Sequence, residues 1–217
     1  GNIAVTALDS TLAANLSNLS TASGTVTAAF GANGTFTGNL GTARVTVATG
    51  VSFTSTAALV SGKHVTAAGS GNIVITALHS TLAADLSNLS KSSGSITAAF
   101  DGTGTFTGNL GTAGVVVTVA DSFTMTAAAN IVAGSNKTIN KASNGVLAVE
   151  VGSADANVDL TTITGTAFAS VTVTQDVTFI GTLDDTVGTS INNGITLTTA
   201  AAKVTGKTVS GNGSIVI

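Results

Sequence analysis

Along most of the chain, apolar residues alternate with Thr, Ser or other small polar residues over short runs. This period of two predicts half-buried β-strands of about four to eight residues. Gly, Asn, Asp and Ser interrupt the runs and predict turns between the strands. The clearest predicted strands are Val45–Val47, Ser52–Thr56, Gly104–Thr107, Val115–Val119, Ser122–Thr126, Val171–Thr174 and Ile195–Thr198.

One stretch has a spacing that suits a helix. Leu12, Leu16 and Leu19 recur at i, i+4 and i+7, and Ser10 or Thr11 could cap the first turn. The same pattern returns at residues 80–89. A bent coil with inward leucines fits the spacing equally well, so a short helix and a coil both remain open.

The chain repeats itself with an offset of 70 residues. The segment Gly34–Ala43 reappears as Gly104–Ala113, and Leu16–Ser20 reappears as Leu86–Ser90. The offset holds without a gap from residue 1 to about residue 58, with about two-thirds of the residues identical. A fixed period of this kind is typical of repeat architectures.

A third, diverged copy follows the first two. Val204–Val209 resembles Val60–Val65, and the last five residues, Gly213–Ile217, resemble the start of a repeat at Gly71–Ile75. The predicted organisation is therefore repeat 1 at 1–70, repeat 2 at 71–144, repeat 3 at 145–212, and the first strand of a further repeat at 213–217. No charged segment followed by an apolar segment precedes residue 1, so we expect no signal peptide in this sequence.

Two all-β architectures are commonly built from tandem repeats, and they differ in the repeat length that they need. Tandem β-sandwich domains usually need about 90–100 residues and often a buried aromatic. A β-solenoid, similar to a parallel β-helix, has a narrow interior that suits Val, Ile, Leu and Ala. The absence of Pro also favours a solenoid, because each internal strand must donate its N–H groups to a neighbour. The sequence favours the solenoid, with the sandwich as the alternative.

Composition excludes several classes of function. The chain has no Cys, which removes disulfides, thiolate metal sites and a Cys nucleophile. Its seven Lys and Arg residues and net charge of −3 do not suit nucleic-acid binding. Thr, Ser, Gly or Asn interrupts every apolar run, so no membrane span is predicted.

Candidate chemistry is sparse and favours a protein that is not an enzyme. The adjacent acids Asp184 and Asp185 are the one weak candidate for Ca²⁺, but no Ca²⁺-loop signature surrounds them and a simple turn explains them. His64, His79 and Glu150 are predicted to be surface polar residues. The remaining acids considered for glycoside cleavage are isolated and occupy non-equivalent repeat positions: Asp101, Asp121, Asp155, Asp159 and Asp176.

Two recurrent features remain. Lys63 and Lys207 share a Gly-Lys-x-Val pattern, with Lys137 nearby in the middle repeat, which indicates a structural position. Thr-x-Thr pairs also recur, and alternation places both hydroxyls of a pair on one face of a strand. Such faces suit an adhesin or an ice-binding module. The pairs are Thr35/Thr37, Thr54/Thr56, Thr105/Thr107, Thr124/Thr126, Thr172/Thr174 and Thr196/Thr198.

Three segments carry a family resemblance: Val115–Ala128, Leu82–Leu86 and Gly206–Val209. Together they resemble the tandem repeats of very large bacterial surface proteins that are rich in Thr, Ala, Gly and Val. The resemblance covers nearly the whole chain and lies in composition and repetition. It implies secretion, a cell-surface or matrix location, and a structural or adhesive role, and it transfers no catalytic residue.

The sequence therefore predicts an extracellular structural protein that forms a fibre, stalk or surface layer, with itself as partner and no cofactor. Its first and last strands occupy the same repeat phase, and neither carries a charge, Pro or bulge signal that would blunt an edge. We expect either a piece of a longer array or a subunit that stacks head to tail into a filament. The predicted assembly residues are Gly1, Asn2, Ile3, Ala4, Val5, Ser214, Ile215, Val216 and Ile217.

Overall fold

A computed structural model describes all residues, 1–217, as a mostly β chain whose strands pair in parallel. It contains twenty strands, three short α-helices and four 3₁₀ turns. Parallel strands stacked in chain order confirm the β-solenoid, because a β-sandwich is built from antiparallel strands. None of the helices has the length and apolar character needed to cross a lipid bilayer.

The chain forms two compact units, residues 1–100 with 108–116, and residues 101–107 with 117–217. In the first unit, one sheet has the order β1-β2-β4-β6-β8, and a second contains β3, β5, β7 and β9 side by side. These strands are β1 Ile3–Val5, β2 Val26–Phe30, β3 Gly34–Thr35, β4 Arg44–Val47, β5 Ser52–Thr56, β6 Val65–Ala67, β7 Asn72–Thr76, β8 Leu89–Lys91 and β9 Ile96–Phe100.

The second unit has the same construction. One sheet has the order β10-β12-β14-β15-β17-β19, another has the order β16-β18-β20, and β13 lies beside β11. These strands are β10 Gly104–Phe106, β11 Val115–Val119 (mostly in this unit), β12 Thr124–Ala128, β13 Lys137–Lys141, β14 Val146–Val151, β15 Phe168–Val173, β16 Val177–Phe179, β17 Thr189–Ile191, β18 Thr196–Thr199, β19 Val209–Gly211 and β20 Ser214–Val216.

The stacking period is much shorter than the sequence repeat. Val45 lies beside Val65, and Phe53 lies beside Ile73, in each case 20 residues further along the chain. Strands that are copies of each other in sequence can lie in different sheets: β1 belongs to the first sheet of its unit and β7 to the second. A strand is therefore paired with the strand of the neighbouring coil, and not with its own copy.

Inward side chains of successive coils form buried columns. In the first unit, Ala28, Val45, Val65 and Leu89 lie next to one another, and each is at most 2% exposed. Apart from Ala29 in β2, outward positions in the same strands are Thr, Ser or charged residues, as the alternation predicts. These columns are the core of the solenoid.

The leucine-rich segment at residues 10–19 is a bent coil and not an α-helix. It follows a single 3₁₀ turn at Leu8–Ser10, and the second copy follows a 3₁₀ turn at Leu78–Thr81. Leu8 and Leu16 are buried, and so are Leu86 and Leu89 in the second copy. The i, i+4 spacing thus places leucines inward without forming regular helix.

The α-helices are three single turns that the sequence pattern did not predict. They are α1 Ala57–Val60, α2 Ala129–Val132 and α3 Ala201–Val204, and each lies shortly before a Gly with positive φ. The recurrent lysines lie just after these turns. Lys63 Nζ donates to the carbonyl oxygen of Gly41 at 2.7 Å, and Lys137 Nζ donates to that of Ala133 at 3.3 Å. These lysines bond backbone carbonyls, which suits the predicted structural role.

Candidate assembly site

The predicted assembly residues lie on, or directly beside, the edge strands β1 and β20 of the two units. In the second unit, β20 pairs with β18 on one side and has no partner on the other. The inward column Val177, Leu197 and Ile215 is 5%, 0% and 42% exposed, so the column is closed until it reaches β20. Val216 and Ile217 are 49% and 63% exposed. The apolar core of this unit is therefore open at its last strand.

An open pocket lies beside this edge. Its volume is about 280 Å³, and its apolar lining comes from Ile191, Val204, Val209 and Ile215. Helix α3 borders this pocket through Val204, and none of the α3 residues is buried. The two earlier turns, in contrast, bury an Ala and a Val each: Ala57 and Val60 in α1, and Ala129 and Val132 in α2. The α3 residues lack the covering coil that the earlier copies have.

The edge at β1 is better covered. β1 pairs with β2 alone, and Ile3 and Val5 are half-buried while Ala4 is exposed. Leu8 and Leu16, which follow β1 in the same coil, are buried. The apolar surface left open by the two edges is therefore concentrated on β20.

The candidate calcium residues are engaged by the protein itself. Asp184 Oδ1 accepts the backbone N–H of Thr186 at 2.7 Å and that of Val187 at 2.8 Å, and also accepts the Thr186 hydroxyl at 2.6 Å. Asp185 forms an ion pair with Lys207 of the next coil. No group of three or more His, Asp or Glu side chains comes together in the chain. The pair thus shapes a turn and ties two coils together.

The surroundings of the Asp184 carboxylate lower its pKa. Burial alone raises the pKa of Asp184, but hydrogen bonds from Thr186 and Val187 and the charge of Lys207 outweigh it and hold the pKa below its ordinary value. Hydrogen bonds from Ser87 and from Asn144 likewise lower the pKa values of Asp85 and Asp121. A carboxylate with a lowered native pKa stabilises the fold above its unfolded pKa, and this stability is lost as pH falls through the native pKa.

We therefore expect the free energy of unfolding to be flat above about pH 5 and to fall below about pH 4. Asp184→Asn keeps an oxygen that can accept from the Thr186 N–H but removes the charge. This variant should show a shallower loss in acid, measured by denaturant unfolding followed by circular dichroism from pH 2.5 to 7. Identical slopes for the variant and the wild type would contradict the role of this carboxylate.

The other acids accept backbone N–H groups, several of them from a neighbouring coil. Asp155 is 2% exposed and accepts from Asn130 at 2.8 Å and Gly152 at 2.9 Å, while Asp176 accepts from Thr196 at 2.7 Å. Asp159 accepts the N–H of Thr161 two residues on, and Asp121 that of Asn144. Asn side chains do the same across coils: Asn2 to Thr25, Asn33 to Ser52 and Asn72 to Ser95. The sequence analysis did not predict these hydrogen bonds between side-chain oxygens and backbone N–H groups.

The remaining polar candidates are spread over the surface of the solenoid. His64 is exposed, and the half-buried His79 ring lies 6.4 Å from the ring of Phe100. Asp101, the copy of Gly31, is exposed and follows β9 directly. Glu150 lies on the outer face of β14, between the buried Val149 and Val151. The structure gathers none of these into a metal-binding group.

The Thr-x-Thr pairs face outward, as predicted, because the residue between the two Thr is buried in every pair. Their stacking is interrupted. Thr35 lies beside Thr54, but Thr54 then lies beside Val74. In the second unit, Thr172 lies beside Glu150. The hydroxyl pairs therefore form short patches and not continuous columns.

Comparison of the chain with protein-family models, with curated proteins and with solved structures gave no match.

Proposed function

We propose that this chain is an extracellular structural repeat segment that builds a fibre, stalk or surface layer by stacking coil on coil, with further copies of itself as partner. The observation that supports this proposal is the unpaired edge of β20. There the parallel strand ladder ends, and the inward column that is buried at Leu197 becomes exposed at Ile215. β20 also carries no charged side chain that would oppose pairing with a further strand.

Cohesion in this proposal comes from two continuous elements. Strands inside each sheet pair with a neighbour on both sides, and inward side chains pack in columns from coil to coil. Each added coil covers one edge and exposes another of the same kind, so stacking continues without closing into a ring. Such an array resists breakage because every joint repeats the internal contacts.

A structural role also suits the use made of the acidic side chains. Asp155, Asp159, Asp176 and Asp184 each accept hydrogen bonds from the chain's own backbone. Glycoside cleavage requires two free carboxylates facing one substrate, and these acids are occupied elsewhere. A location outside the cell is supported by the resemblance to bacterial surface repeats noted above. The interrupted Thr columns give less support to an ice-binding face.

Sedimentation velocity over a range of protein concentrations, with negative-stain electron microscopy, tests the proposal. We expect a concentration-dependent series of oligomers and unbranched filaments, because a heterologous contact that does not close forms an open chain. A single monomeric species at all concentrations, with no filaments in the micrographs, would remove the proposed function.

We also expect the folded chain to resist trypsin, because most of its Lys and Arg residues lie in paired strands or bond to neighbouring carbonyls. Arg44 lies in β4 between β2 and β6, and Lys91 Nζ donates to Gly94 O at 3.1 Å. Cleavage should begin after Lys203 in the uncovered α3 and leave the preceding residues intact. Electrophoresis and mass spectrometry of a time course measure this. Rapid conversion to small peptides would contradict the durable packing that a fibre requires.

A further inference from the structure

The last strand pair of the second unit, β18 and β20, matches the pair β5 and β7 of the first unit. In the first unit, β5 pairs with β7, with Ser52 beside Asn72 and Phe53 beside Ile73. In the second unit, β18 pairs with β20 in the same way, with Thr196 beside Ser214 and Leu197 beside Ile215. A hydroxyl on each first strand makes the same contact: Ser55 Oγ donates to Phe36 O at 2.9 Å, and Thr199 Oγ1 donates to Phe179 O at 2.7 Å.

The first unit also shows which strand follows. There, β7 continues to β9, with Ile73 beside Ile96 and Ile75 beside Ala98. The sequence copy of β9 is β2, since residues 95–100 read Ser-Ile-Thr-Ala-Ala-Phe and residues 25–30 read Thr-Val-Thr-Ala-Ala-Phe. The free edge of β20 is therefore the position that a β2-type strand fills.

The same chain already holds β2 in this register, through β1. Ile3 lies beside Val26, and Val5 lies beside Ala28. The three strands β1, β7 and β20 share one pattern, a Gly, then Asn or Ser, then Ile, an apolar residue, and Val or Ile. β20 thus has the residues that β1 uses to hold β2.

The corner before the strand also matches. A Cβ atom on Gly24 would overlap the carbonyl oxygen of Gly1, and one on Gly94 would overlap that of Gly71. Both turns therefore require glycine at this position. Asn2 and Asn72 then accept the N–H groups of Thr25 and Ser95, at 3.0 and 2.9 Å. In β20, Gly213 precedes the strand, and the hydroxyl of Ser214 is an acceptor at the Asn position.

From this match we infer that β20 of one copy pairs with β2 of a second copy, taking the place of that copy's β1. Ile215 then lies opposite Val26, Val216 opposite Thr27, and Ile217 opposite Ala28. β20 keeps its pairing with β18, so it becomes an internal strand like β7. At the inward position opposite Ala28, Ile217 is larger than Val5, so the exchange buries more apolar surface there than β1 does. The inference rests on the proposed head-to-tail stacking and specifies its joint.

Paired cysteines distinguish this joint from simple end-to-end addition, in which β1 of the second copy would lie on β20. Because the chain has no Cys, Thr27→Cys with Val216→Cys reports exchange, and Ala4→Cys with Val216→Cys reports addition. All three positions are exposed, so we expect the fold to tolerate a Cys at each of them. Neighbouring strands lie about 4.8 Å apart, within the range of about 4.4–6.8 Å for Cα atoms in a disulfide.

We expect mild oxidation of the Thr27/Val216 variant of the 217-residue chain to give a ladder of covalent oligomers on non-reducing gels, and the Ala4/Val216 variant to give none. The opposite result, or oligomers on sedimentation with neither cross-link, overturns the exchange and leaves the proposed function standing. No oligomers on sedimentation overturns both.

Weakening β1 gives an independent measurement. Ile3→Lys with Val5→Lys places two charges on the inner face of β1, which is an edge strand with half-buried side chains. If β20 replaces β1, this variant should assemble at a several-fold lower concentration than the wild type, because the competing strand is released more easily. Assembly that is weaker than that of the wild type overturns the exchange.

Discussion

Ile215→Lys with Ile217→Lys is expected to convert the chain into a monomer at concentrations where the wild type forms oligomers. Both side chains are exposed in the free edge and lie on the face that continues the Val177 and Leu197 column. In a joint these positions lose water, and an unpaired ammonium group buried among apolar side chains opposes association strongly. The fold itself should be little affected, since no partner strand covers these residues in the monomer.

Sedimentation velocity of the variant beside the wild type measures the effect. Ala202→Lys with Thr208→Lys is the matched control, because it adds the same charge at exposed positions near the same end of the second unit. The control should still associate. Filaments of ordinary length and stability from the Ile215/Ile217 variant would show that the terminal strand is not part of the joint.

Phe53→Ala is expected to have the largest effect on stability, a loss of about 3–5 kcal/mol in the free energy of unfolding. Phe53 is fully buried, and its ring lies 4.9 Å from Phe30 in an edge-to-face arrangement and 6.1 Å from Phe36 in a stacked one. Removing the ring leaves a cavity that faces both rings, in a narrow interior whose backbone is fixed by strands on two sides.

Denaturant unfolding followed by far-ultraviolet circular dichroism is the suitable measurement, because the chain has no Trp or Tyr for fluorescence. Phe53→Leu should lose less, since it fills part of the space. Phe123→Ala is a matched surface control, as Phe123 is 36% exposed. Equal losses for Phe53→Ala and Phe123→Ala would contradict the importance of the aromatic cluster.

Many strands could be predicted from the alternation, although β12 lies at Thr124–Ala128, two residues further along than the predicted Ser122–Thr126. Ser52–Thr56 and Val115–Val119 form strands with the predicted bounds, and Phe106 and Leu197 lie inward between outward Thr residues. The helical turns could not be predicted, because four residues are too few to show a helical period. Their signal is recurrence: a turn that begins with Ala and ends in Val precedes a Gly at residues 57, 129 and 201.

The bracing side chains could not be predicted for a different reason. The N–H group that Asp176 or Asn33 accepts belongs to a residue 20 or 19 positions away, and the distance along the chain varies from corner to corner. Sequence spacing alone does not identify such a partner. The edge residues Ile215 and Ile217 were predicted from the repeat phase, whereas the covering of β1 by Leu8 and Leu16 required the structure.

The presence of one strand type in two different sheets bears on how such a gene changes length. β1 and β7 carry the same pattern, yet they lie in different sheets of the first unit. A segment duplicated by unequal recombination can therefore fold onto another face of the solenoid and still pair with a compatible neighbouring strand. Gains or losses of one coil, about 20 residues, should be tolerated as well as those of a whole repeat. Alleles of this gene are then expected to differ in coil number while their strand pairs keep one register.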